Sequence, residues 1–144
     1  VTFFECLVAF ISTNSPLAAK LTGGLHPQIV PQNPILVNGV IAPLLVMRLI
    51  SGSSEHPTHD GGASPWSMVR IELTVYGADF KTQEQAALML DSMFSSFNGY
   101  LGGGSSGRFS TGDIHGPRSI QDPSTRLVGI QLDILGMLNR STLS

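Results

Sequence analysis

The sequence predicts an α+β domain: a mainly antiparallel sheet of four to five strands with two helices packed on one face, in the order α-β-β-β-α-β-β. Three observations predict it. Residues 66–76 alternate apolar and polar with the period of a half-buried strand. Two segments, 3–13 and 82–97, carry apolar residues at helical spacing. Strand-like runs are neighbours in sequence at 44–50 and 66–76, and again at 109–121 and 126–138, which favours antiparallel hairpins with the helices as a second layer. The length of 144 residues fits one domain, 1–144, and can bury a core without covalent staples.

The first helix starts at Phe3. Thr2 and Glu5 have capping-box spacing, and Phe3, Leu7, Phe10 and Ile11 share one face. Asn14-Ser15-Pro16 ends it near Thr13, because a residue before proline avoids helical geometry. Pro16 then opens a short helical segment, 17–21, stopped by Gly23-Gly24. Leu25 to Val30 reads as an edge strand, since Pro27 donates no ladder bond, and Pro31 to Gly39 reads as a loop. Leu44 to Ile50 is apolar on both faces and predicts a buried strand. A long polar loop, 51–65, leads to the strand Trp66 to Tyr76. There Val69, Ile71, Leu73 and Val75 face one way; Met68, Arg70, Glu72, Thr74 and Tyr76 face water or a polar partner.

The second main helix is expected from Thr82, where Gln85 completes a capping box, to Asn98-Gly99. Its apolar stripe is Ala86, Met89, Leu90, Met93, Phe94 and Phe97. The glycine-rich stretch 102–107 predicts a flexible loop. Phe109 to His115 and Ser119 to Gln121 form a bent strand interrupted at Gly116-Pro117. The last strand, Arg126 to Leu138, places Val128, Ile130, Leu132 and Ile134 on one face and pairs with its predecessor. Residues 139–144 are expected to trail as a loose tail.

Composition narrows the function classes. Only 12 % of residues are charged, against roughly 25 % in ordinary soluble domains, while 42 % are hydrophobic and 16 are glycine. Charge keeps an isolated surface soluble, so a chain this poor in it is expected to hide surface in contacts. That favours an assembly subunit over a free enzyme. The net charge of −2, with Arg48, Arg70, Arg108, Arg118 and Arg126 scattered, argues against specific nucleic-acid recognition. One cysteine, Cys6, permits no intrachain disulfide and fits a reducing compartment. No apolar run approaches the ~20 residues that span a bilayer, and no basic region precedes the N-terminal apolar stretch, so neither membrane span nor secretory signal is expected.

Candidate chemistry is sparse. Glu55-His56-Pro57-Thr58-His59-Asp60 offers zinc-ligand types, but Pro57 and the glycines around it oppose a helical His-x-x-His pair, and the reading is a solvated or interfacial loop. The 102–107 glycines lack the lysine and hydroxyl of a phosphate loop. Asp113, His115 and the serines lack a nucleophile elbow, and Cys6 on an amphipathic helix reads as a buried structural thiol. No catalytic, cofactor-binding or metal residue is assigned. A small metal-dependent hydrolase built on His56, His59 and Asp60 stays as a distant alternative, beside a small-ligand or adaptor module.

One pattern covers nearly the whole chain. The N-terminal helix leads to Leu17-Ala18-Ala19-Lys20-Leu21-Thr22-Gly23-Gly24. A proline-bearing strand follows, then a hydrophobic strand ending Arg48-Leu49-Ile50-Ser51-Gly52. After the long loop comes Val69-Arg70-Ile71-Glu72-Leu73-Thr74-Val75-Tyr76-Gly77, then the helix through Ala86-Ala87-Leu88-Met89-Leu90-Asp91, and last the hairpin 122–138. This resembles the tail terminator, or tail completion, family of long-tailed phages and related tailed particles. Two features depart from it: a long insertion at 31–43 and the glycine-rich loop at 102–107.

The resemblance implies a structural virion protein of the tail or neck, assembled in the host cytoplasm. Such a protein forms a ring, hexameric in that family, at the head-proximal end of the tail tube. Its partners are its own copies, the tail tube protein and a head-tail connector, with DNA passing the lumen without sequence-specific binding and no cofactor or membrane involved. Another neck or tail component, a head-tail joining or tube subunit, is the close alternative. Functional loops sit on rigid scaffolds, so the loops 51–65 and 99–108 are the expected contact sites, with Ser53, Glu55, His56, His59, Asp60, Trp66, Gly103, Ser105 and Arg108 as candidate interface residues.

Overall fold

The protein is an α+β structure built on a mixed, mostly antiparallel six-strand sheet curled into a half-barrel, with two main helices. The computed structural model describes residues 2–31, 34, 36–37, 39–54, 65–123 and 127–143. The elements run α1 (Phe3–Ser12), α2 (Ser15–Lys20), β1 (Leu25–Pro27), β2 (Leu36–Val37), β3 (Val40–Ile41), β4 (Leu44–Ser54), β5 (Trp66–Tyr76), α3 (Phe80–Phe94), β6 (Asn98–Tyr100), β7 (Arg108–Gln121), β8 (Val128–Asn139) and a 3₁₀ turn, Arg140–Thr142. The main sheet has the order β1-β4-β5-β8-β7-β6, and β2 and β3 form a separate hairpin.

The sheet therefore has six strands where four to five were expected. Of the two short edge strands, β1 falls within the expected edge strand 25–30, and β6 is the addition. β1 pairs parallel with β4 (Leu25 opposite Leu45), and β6 extends the far edge beside β7 (Asn98 opposite Ser110). β6, three residues long, has no sequence period long enough to register. Antiparallel pairing of β4 with β5 and of β7 with β8 agrees with the two predicted hairpins, and β5 joins them by pairing antiparallel with β8.

One core holds the layers together. Val69, Ile71, Leu73 and Val75 of β5 are buried, as are Leu45 and Met47 of β4 and Ile130, Leu132 and Ile134 of β8. They form one cluster with Phe3, Leu7 and Ile11 of α1, Leu17 of α2, and Ala86, Leu90 and Phe94 of α3. Each fully buried aliphatic or aromatic side chain stabilises by about 1.5–3 kcal/mol. Phe10 of α1 meets Phe94 edge-on at 5.0 Å, which ties the two helices to each other as well as to the sheet.

The opposite sheet face is not uniformly polar. Leu44, Val46 and Tyr76 lie buried there with Val30, and Ile41, Ile120 and Leu127 pack against them. The expected loop 31–39 holds β2 of the β2–β3 hairpin, and β3 follows directly after it, with Ile41 resting on this small second core. Asn38-Gly39, flanked by aliphatic residues, is a hairpin-turn signal that the prolines obscured. Gly39 has φ +77°, a conformation such turns demand.

Caps refine the helix limits. Thr2 and Glu5 form the reciprocal capping box at α1. Asn14 caps α2, so Ser15 is helical despite the following proline. α3 starts two residues before Thr82 because Asp79 is the cap: it accepts from the Lys81 amide at 3.1 Å and from the Thr82 hydroxyl at 2.7 Å. Gln83, on the first turn, is buried and donates to the Gly77 carbonyl, which locks the β5–α3 connection. β7 passes Gly116-Pro117 as one strand with a register shift between His115 and Arg118, rather than ending there. The C-terminal residues are not a loose tail through Leu143. They make the 3₁₀ turn capped by Asn139, whose side chain accepts from the Ser141 amide at 3.0 Å.

Hydrogen bonds from Thr82, then from the Lys81 amide, hold the Asp79 pKa below the ordinary carboxylate range. Its stabilising effect is present near neutral pH and is lost as pH falls through that depressed range. Replacing Asp79 with alanine should lower the thermal midpoint at pH 7, and the gap from the native chain should close in acid. A gap that stays constant from pH 7 to strong acid would contradict the cap.

Candidate functional site

The described ends of the two loops singled out in the sequence lie at one end of the sheet. Ser54 pairs with Ser67, Trp66 with Asn139 and Phe109 with Leu138, so the β4–β5 connection and the β6–β7 turn both border the end of β8. The 3₁₀ turn joins them. The Arg140 amide donates to the Pro65 carbonyl at 2.8 Å, while the Gly107 amide donates to the Thr142 carbonyl at 3.3 Å. The Arg108 amide donates to the Thr142 hydroxyl at 2.9 Å.

The 101–107 turn is ordered rather than flexible. The Leu101 amide bonds to the Gly107 carbonyl at 2.9 Å and the Gly102 amide to the Ser106 carbonyl at 3.1 Å. Its glycines answer a close approach. Gly107 has φ +69°, and a Cβ there would lie 3.0 Å from the Cys6 sulfur. Cys6 is fully buried beneath this turn, and burial pushes its thiol pKa up, which keeps it protonated and makes it an inert packing group.

Of the candidate interface residues, Gly103 and Ser105 are exposed at the tip of the turn, and Arg108 is half-buried with its guanidinium 5.5 Å from the Tyr100 ring centroid. Trp66 opens β5 and is half-buried. Ser53 belongs to the backbone of β4. Glu55, His56, His59 and Asp60 lie outside the described residues. The structure thus brings Trp66, Arg108 and the tip residues to one pole.

Other groups weighed in the sequence come out as follows. Among the described residues, no three His, Cys, Asp or Glu side chains gather as a metal-ligand set. His115 and Asp113 do meet, at 2.9 Å, but both are more than half exposed. The hydrogen bond from His115, followed by that from the Ile114 amide, holds the Asp113 carboxyl below its usual range. This is a surface pair, not a water-excluding site. No helix among the described residues is long and apolar enough to cross a membrane.

Sequence reasoning missed a polar network on the sheet face away from the helices. The register sets Glu72 directly opposite Asp133, with Arg48 opposite Glu72 on the other side. Like charges placed so repel. Arg70 bonds to Glu72 and lies 3.8 Å from Asp133; Arg118 and Gln131 each reach Asp133 at 2.9 Å. Arg70 and Arg118, scattered in sequence, are brought onto one buried carboxylate. Strand parity placed Arg70 and Glu72 on this face, but only the β5–β8 register reveals the opposed acids.

Neither a known family model nor a curated protein sequence matches the chain.

Arg70→Met should cost about 1 kcal/mol, since it uncovers the Glu72–Asp133 repulsion at a half-exposed site. The cost should shrink when Glu72→Gln is already present. Denaturant titrations of the four chains in that cycle check this; equal costs in both backgrounds would refute the bridging role.

Proposed function

We propose that the protein is a structural virion component of the tail terminator type. On this reading, copies close into a ring, hexameric as in the family it resembles, at the head-proximal end of a phage tail tube. The ring ends tube polymerisation and offers a joining surface to the head connector. DNA crosses the lumen without sequence-specific contact. Catalysis and cofactors have no part in this role, and the work is done by surfaces.

The observation that carries the reading is a surface short of charge and rich in exposed apolar side chains. With 12 % charged residues, the chain leaves Ile29, Leu36, Val40, Met68, Phe80 and Leu88 half or more exposed. Exposed apolar surface of this extent suits a subunit whose faces are covered by neighbours. Two further facts support it. The sequence pattern resembles the family over nearly the whole chain, and the described ends of the candidate loops meet at one pole, where a ring would meet an axial partner. Heterologous contacts between copies that close by rotation give a ring.

Tails assembled without this chain should overrun their normal length and fail to join heads, and purified chain added back should restore both. Tails of normal length that join heads in its absence would refute the proposal. A chain that instead extends tubes in proportion to its amount would be a tube subunit.

A further inference from the structure

We infer that the β2–β3 hairpin of one copy docks into the groove between α3 and β7 of the next copy. This rests on the ring reading above and names the surfaces that would make its lateral contact.

The hairpin is only partly covered within its own chain. Among the described residues it is a two-stranded sheet that shares no strand pairing with the main sheet, and such ribbons are marginal alone in water. Its register sets Leu36 beside Ile41 and Val37 beside Val40, so Leu36 and Val40 point to opposite faces. Ile41 is seated on the second core, yet Leu36 is 59 % and Val40 50 % exposed. Val40, on the face turned from that core, is left open and suits an apolar cleft.

The molecule has such a cleft. A groove of about 220 Å³ runs between α3, which supplies Phe80 and Leu88, and the chain at Pro117 of β7, with Ile130 of β8 in its lining. Phe80 is 56 % and Leu88 51 % exposed. The hairpin cannot fill the groove of its own copy. Val40 lies by Asp79 and Thr82, which project from the side of α3 opposite to Phe80, Glu84 and Leu88. The hairpin feeds β4, whereas the groove belongs to the β7 side, with β5 and β8 between them. Two unlike patches on opposite sides of α3 make a head-to-tail contact when copies associate, the kind that closes into a ring.

Charge selects the same occupant. The groove carries one charge of each sign, Glu84 and Arg118, and so favours a neutral guest. From Leu21 to Met47 the chain contains no Asp, Glu, Lys or Arg. The hairpin can enter without stripping water from a charge.

The test is a mixing experiment read by light scattering on size-exclusion chromatography. Val40→Asp spoils the hairpin and Leu88→Asp the groove; both positions are half exposed, and circular dichroism checks that each variant folds. The native chain should assemble at high concentration and each variant alone should stay monomeric. An equimolar mixture should give a dimer and nothing larger, because only one hairpin and one groove remain intact. If Leu88→Asp does not fold, Phe80→Ser serves in its place. A native chain that stays monomeric at millimolar concentration, a variant that assembles as the native chain does, or a mixture that yields no dimer would each overturn the inference. Assembly undisturbed by either substitution refutes hairpin docking and leaves a ring made by other surfaces. The predicted dimer from a chain absent from tails would refute the terminator reading alone.

Discussion

Burial of one face of β5 is the constraint on which the rest of the structure depends. Val69, Ile71, Leu73 and Val75 lie between α1–α3 and the sheet, flanked by Leu45 and Met47 on β4 and Ile130, Leu132 and Ile134 on β8. A one-residue slip would turn all four of those side chains outward. That penalty fixes register on both sides of β5. Once register is fixed, the outer face has no freedom left, and Glu72 must face Asp133. The arginines at 70 and 118 are the accommodation to that geometry. The ion network follows from the core rather than building it.

The same constraint separates the molecule into a rigid middle and two working ends. At one end, the β4–β5 and β6–β7 connections are joined through the 3₁₀ turn, with Cys6 of α1 filling the space under the glycines. At the other, the β2–β3 hairpin stands on Leu44, Val46 and Tyr76, beside the capped start of α3. Surfaces that are short of charge and fixed to a stiff sheet fit a part that is held by neighbours. The polar pole would serve axial partners, and the apolar hairpin and groove would serve lateral copies.

Much of this order was legible in the sequence wherever a period was long enough. β5 was readable to its end residues, Trp66 and Tyr76, because eleven alternating positions leave one parity for the core. α1 was readable because its capping box and apolar face agree. Short elements were less so. The edge strand expected at 25–30 is the shorter β1, parallel to β4, and the three-residue β6 takes its structure from the edge of β7, which no local signal encodes. The hairpin at 36–41 carried the Asn38-Gly39 signal, but Pro31, Pro34 and Gly39 read together as the breakers of a loop. Asp79 was passed over as a cap because Thr82 and Gln85 offered a competing one three residues later. At the candidate site, sequence could nominate Trp66, Gly103, Ser105 and Arg108 as loop residues. That they share one pole depends on β8 running past both loops, a matter of sheet order.

The central claim is that copies of this chain form one closed layer on a tail tube. Electron microscopy of the intact particle, with the chain located by its own density, tests it most directly. The account predicts a single six-fold layer between tube and head connector. Repeated layers along the tube, or particles that lack the chain, would contradict it.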